Sequence, residues 1–185
     1  MFYRLVLDSA FMTAAEEYEL LSLLHRTLSQ QRRSGGKSST HSIHAELLYR
    51  SSEHKYAADS FHEHCDEKGP TLIVVHNEHD RVFGAYVSVS WNSFQQELDD
   101  PRAFMFAVRP QIKLIPLRDV SGKQILWTWP RFGPTIGHGN DLCIVDDCHE
   151  NLSSCTSGSF DFVPTELCAG ERFGDNRTNF KIKEY

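Results

Sequence analysis

The chain has 185 residues, 40% of them hydrophobic and 24% charged, with 12 Phe. This ordinary globular composition excludes intrinsic disorder and low-complexity classes, and it allows a core that needs neither disulfides nor metal. Lys and Arg number 19 against 25 Asp and Glu, a net charge of −6, which argues against nucleic acid as a general partner.

In chain order, Thr13-Ala14-Ala15-Glu16 has the form of a capping box. Leu20, Leu21, Leu24 and Leu28 follow at helical spacing and predict a helix from about Ala14 to Leu28. Arg32 to Ser42 is rich in Ser, Gly and basic residues, so it reads as a flexible linker with Arg32, Arg33 and Lys37 solvated. These features give an N-terminal helix and linker over 1–43 and a second unit over 44–185. His44 to Tyr49 reads as a short strand or extended entry. Ala58, Phe61, His62 and Cys65 share one helical face, and Asp66 to Gly69 ends that helix.

From Pro70 the pattern turns to β. Thr71 to His76 and Arg81 to Ser90 predict a hairpin about the turn Asn77-Glu78-His79-Asp80. Further strands are expected at Ala103–Val108, Gln111–Ile115, Gln124–Trp127, Asp141–Val145, Ser159–Val163 and Asn179–Tyr185. Short strands with Gly, Asp, Asn and Ser connections indicate a two-sheet antiparallel β-sandwich flanked by helices, an α+β chain that is mainly β. Phe83, Tyr86, Phe104 and Phe106 are expected in its interior, and Gly84 is expected at a close backbone approach or a bulge.

No run approaches the about 18 apolar residues of a membrane span. The N-terminus lacks the basic front and apolar block of a secretion signal. The 5 Cys are odd in number and lack framework spacing, which predicts reduced thiols in the cytoplasm. His62-Glu63-His64-Cys65 invites a zinc reading, but residues i and i+2 of a helix point to different faces. Cys143, Cys148, His149 and Cys155 match no closed zinc spacing, and packing of Cys143 in a strand is the simpler reading. The Gly-rich stretch Gly133–Asn140 precedes a strand rather than a helix, so it is a tight loop and not a phosphate cradle. No catalytic, cofactor or metal residue is assigned. From Val145 onward eight carboxylates face four cations, an acidic rim that suits a basic partner.

The motifs also form an ordered set. Leu47-Leu48-Tyr49-Arg50, Ser60-Phe61-His62, Cys65-Asp66 and Lys68-Gly69-Pro70-Thr71-Leu72 come first. Val82-Phe83-Gly84-Ala85-Tyr86, Ser90-Trp91 and Ala103-Phe104-Met105-Phe106 follow. Phe132-Gly133-Pro134-Thr135, Gly137-His138-Gly139, Asp141-Leu142 and Asn179 to Tyr185 complete the series. From about residue 45 to the end this resembles a TLDc domain, the module of the oxidation-resistance protein family. The glycine run usual in that family is reduced here to Gly137-His138-Gly139-Asn140, and the first 40 residues carry no part of the resemblance.

The resemblance implies a helix-flanked β-sandwich, a role in protection from oxidative stress, and docking to the vacuolar proton pump (V-ATPase), with membrane association through that partner. The leading expectation is therefore a non-enzymatic interaction module. The alternatives are a redox protein using Cys143, Cys148 or Cys155, and a metal-stapled adaptor. Loops on a rigid sandwich are common recognition sites, so Gly137, Gly139, Asp141, Asp146, Asp147 and Glu150 are the expected partner-binding residues.

Overall fold

The computed structural model describes residues 11–33, 45–118, 125–173 and 177–185. The chain divides into two compact units, Met1–Leu47 and Leu48–Tyr185. In the first, helix α1 runs Ala14–Arg33, five residues beyond the expected end, because Gln and Arg continue a helix readily. Its capping box is present. The Thr13 amide donates to Glu16 Oε2 at 2.8 Å, and the Glu16 amide donates back to Thr13 Oγ1 at 3.3 Å. The basic linker residue Lys37 lies outside the described residues. No described helix is long and apolar enough to cross a membrane.

The second unit is a two-sheet antiparallel sandwich with two helices of its own. Helix α2 is Ala58–Cys65, and the expected face of Ala58, Phe61, His62 and Cys65 is buried. Strands β1 (Thr71–Asn77), β2 (Val82–Val87), β4 (Phe104–Arg109) and β5 (Lys113–Pro116) belong to a five-stranded sheet, with β3 (Glu97–Leu98) lying in the other sheet. The chain then builds most of the seven-stranded sheet through β6 (Leu126–Trp127), β7 (Phe132–Ile136), β8 (Leu142–Val145) and β9 (Ser153–Cys155). Helix α3 (Pro164–Cys168) leads to β10 (Glu171–Phe173) and β11 (Arg177–Phe180), which complete it, and β12 (Ile182–Glu184) returns to the five-stranded sheet. The sheet orders are β12-β1-β2-β4-β5 and β10-β11-β9-β8-β7-β6-β3.

Several elements differ from expectation. Asn179–Tyr185 is not one strand: β11 and β12 lie in different sheets, and the chain crosses between them at Lys181. Ser159–Val163 makes only a single bridge, Leu117 to Phe160, before Pro164 opens α3. Strand β7 forms despite Gly133-Pro134, through a register irregularity between Phe132 and Thr135 that accommodates the proline.

Between the sheets lie Ile73, Val75, Phe83, Ala85, Val87, Met105 and Ala107 from one layer and Leu126, Ile136, Leu142, Ile144 and Phe180 from the other. Phe83 meets Phe180 edge-on at 5.4 Å. Phe104 and Phe106 are buried and share a face, as expected, but it is the face opposite Met105 and Ala107 and so turned from this core. Tyr86, only half-buried, stacks on Phe104 at 5.1 Å. Gly84 pairs with Val74 and Phe106, and a Cβ there would fall 1.9 Å from the Ile73 carbonyl oxygen.

Candidate functional site

Three of the six expected docking residues serve the fold. Gly137 and Gly139 turn the β7–β8 connection with φ of +91° and +106°. Asp141 is fully buried, and its Oδ2 accepts the amides of Ser159 and Phe160 at 2.7 Å each. A side chain at Gly137 would come within 2.5 Å of that carboxyl group. The same turn is tied down by Thr156 Oγ1 donating to the Gly139 carbonyl and by the His138 amide donating to Ser159 Oγ. Burial pushes the Asp141 carboxyl up to about 6, against the pull of the Phe160, Ser159 and Gly158 amides. Asp141 therefore holds the loop from beneath and offers no carboxylate to a partner.

Asp146, Asp147 and Glu150 are exposed in the turn after β8, at the opposite end of that strand from Gly137 and Gly139. The structure does not bring the six residues together. Asp146 is also committed internally: its Oδ1 accepts the Ala58 amide at 2.8 Å, capping α2 from 88 residues away. A carboxylate there satisfies a free amide and complements the helix dipole. Glu150 lies 3.9 Å from Lys181 Nζ.

All five thiols are buried. Burial pushes Cys65 and Cys148 up to about 12, raises Cys143, and raises Cys155 well above the ordinary thiol range. Thiols held protonated in this way are poor nucleophiles, which removes the support for Cys143, Cys148 or Cys155 as scavengers. Among the described residues, no group of three or more His, Cys, Asp or Glu is placed to hold a metal ion. Both nitrogens of His62 are engaged, Nδ1 with Asp66 Oδ1 at 2.8 Å and Nε2 with the Phe132 carbonyl at 3.0 Å.

The His62 contacts support a surface that sequence reading missed. Asp66 Oδ2 accepts Ser93 Oγ at 2.6 Å, so one partly buried pair fixes α2, the loop at 92–96 and the start of β7. That loop also receives the β6–β7 connection, since the Gln95 amide donates to the Thr128 carbonyl at 3.1 Å. Phe94, Trp129 and Phe132 project from these segments with exposures of 72%, 41% and 38%. Trp127 lies beside Trp129, ring centroids 6.0 Å apart. Phe132 pairs with Val145, the residue before Asp146, so the aromatic surface and the acidic turn share one end of the seven-stranded sheet. The sequence held a signal for it: Trp127-Thr128-Trp129-Pro130-Arg131-Phe132 gathers three aromatics around a proline.

Fold and surface together define a helix-flanked β-sandwich domain with an exposed aromatic end. The family comparison gives the same class a name: the sequence matches the TLDc domain over residues 18–185, and the chain belongs to that family. The match takes in most of α1, well ahead of residue 45, where the resemblance of the motifs begins. The chain is also similar to the MTOR-associated protein MEAK7 of Mus musculus, with 30% identity over 66 residues. Those residues are 36% of this chain and 14% of that protein, so the chain matches only a small part of that relative.

Proposed function

We propose that this domain is a non-enzymatic docking module that regulates a protein partner. The observation that carries the reading is the aromatic end of the seven-stranded sheet. Three large aromatic side chains stand in water there, on segments pinned by the His62–Asp66 pair. Exposed apolar patches of this kind mark contact sites, and aromatic residues are the usual anchors of such contacts. Among the expected docking residues, the exposed Asp147 and Glu150 flank this surface and serve to steer a basic group toward it.

Family analogy favours the V-ATPase as the partner, with the domain acting in the cytoplasm and reaching membranes through that complex. Protection from oxidative stress is then indirect, through the partner, because the domain's own thiols are shielded. The relative's description as MTOR-associated is a second support for a regulatory association.

The test is binding of the purified full chain to purified V-ATPase, compared with a Phe94→Ser/Trp129→Ser variant of unchanged melting temperature. We expect measurable binding that the variant loses by tenfold or more, about 1.4 kcal/mol. Equal binding by both proteins would move the docking site elsewhere, and no binding by either would remove the V-ATPase as partner.

A further inference from the structure

The order of charges at the aromatic end points to the chemistry of the segment it receives. This inference rests on the docking reading above. The loop 92–96 is Asn-Ser-Phe-Gln-Gln, and residues 127–132 are Trp-Thr-Trp-Pro-Arg-Phe. Across both, Arg131 is the single formally charged residue, on a chain whose net charge is −6. Arg131 is exposed and has no ion pair among the described residues, and the same is true of Asp147.

The sheet sets these groups out in a row. Neighbouring strands run β3, β6, β7, β8. Phe94 precedes β3, Trp129 follows β6, Arg131 immediately precedes β7, and Asp147 and Glu150 follow β8. All five lie at one end of the sheet, because Glu97 pairs with Trp127 and Phe132 pairs with Val145. At about 4.8 Å per strand the row covers about 15 Å, the reach of four or five extended residues. Its sequence across the surface is apolar, positive, negative.

We propose that this end of the domain receives a short protein segment of the complementary order: an aromatic or aliphatic anchor, then a carboxylate, then a basic residue. The anchor packs against Phe94 and Trp129. The carboxylate meets Arg131, whose planar guanidinium suits a bidentate carboxylate contact. The basic residue meets Asp147, beside Glu150, whose carboxylate also lies 3.9 Å from Lys181 Nζ. The alternating poles also fix the direction of the segment, since the reversed order sets like charges together. A uniformly basic or uniformly acidic segment fits worse, because one pole would always face its own sign. A membrane surface of anionic lipid fits worse for the same reason.

The experiment is selection of a displayed library of random twelve-residue peptides against the full chain. Selected peptides are synthesised and their affinities measured for wild type, Arg131→Glu, Asp147→Asn/Glu150→Lys and Phe94→Ser. We expect peptides with an apolar, acidic, basic order. Arg131→Glu should weaken them about tenfold, and changing the peptide's acidic residue to Lys should restore binding to that variant. Peptides lost with Phe94→Ser but indifferent to Arg131→Glu, or without charge order, would overturn the inference and leave the docking surface standing. Peptides indifferent to Phe94→Ser as well would overturn both. Flotation with phosphatidylcholine vesicles containing phosphatidylserine serves as the lipid arm. Vesicle binding that Trp129→Ser abolishes, in a chain that selects no peptide, would assign the surface to lipid and overturn both readings.

Discussion

Asp141 holds a turn together at a cost that depends on pH. Its folded-state carboxyl titrates at about 6, while an unfolded Asp titrates at about 3.9. Between those values the native state holds the proton that the unfolded state releases. Its contribution is therefore fully present below about pH 4 and is lost as the pH rises through about 6. The full change is about 3 kcal/mol, from about two pKa units at about 1.4 kcal/mol each. Urea midpoints measured across this window should show the decline, and Asp141→Asn, which keeps an amide acceptor in place, should flatten it. Asp146 makes a different prediction. It reads as a surface acid, but its bond to the Ala58 amide makes it a cap for α2. Asp146→Ala should cost about 1 kcal/mol in urea unfolding, as lost caps do. Asp147→Asn, at an exposed neighbour with no such bond and a φ of +50° that Asn tolerates, should stay within about 0.5 kcal/mol. A salt-bridge reading of the whole acidic turn would predict the two to behave alike.

Strand β2 shows how packing selects a residue that strand propensity disfavours. Gly84 sits in the middle of the strand, where glycine costs backbone entropy and contributes no side chain. A Cβ would strike the Ile73 carbonyl oxygen at 1.9 Å and the ring edge of Phe106 at 2.9 Å. The first obstacle is backbone, which cannot rotate aside. Gly84→Ala should therefore separate β1 from β2 and lower stability by about 3 kcal/mol, the upper part of the range for overpacking. Thermal unfolding measures it, and an unchanged melting temperature would contradict the described approach. The close approach was expected from the sequence, since a glycine flanked by Phe83 and Ala85 in a strand asks for one. Strand β7 was not expected, because Gly133-Pro134 carries a loop signature. There the nearby contacts decide: a Cβ at Gly133 would lie 3.1 Å from the Tyr185 hydroxyl and 3.3 Å from Ile144.

The sandwich encloses every cysteine of the chain. The five thiols lie on α2, β8, β9, α3 and the turn after β8, and all are buried. In the native protein they should react with an aromatic disulfide reagent only as fast as the fold opens, and all five should appear at once in denaturant. A thiol that titrates rapidly in the folded state would restore the redox alternative. The hairpin β1–β2, the strands at 104–109 and 142–145, helix α2 and the capping box of α1 were legible in the chain itself. Their signals are local: alternation of apolar residues, a helical face, a hydroxyl three residues before a Glu. Other features depended on partners distant in sequence. The last strand pattern divides at Lys181 because Phe180 pairs with Ser153 in one sheet and Ile182 pairs with Asn77 in the other. Asp141 and Asp146, at the two ends of one expected strand, look alike as acids for a partner, yet one is buried beneath Ser159 and Phe160 and the other caps a helix 88 residues away. The docking surface is of the same kind. Phe94 and Trp129 are ordinary loop aromatics until β3 pairs with β6 and brings their segments to one end of the sheet, where both stay exposed. Periodicity records which face of an element is apolar; only the meeting of elements determines which apolar groups remain uncovered.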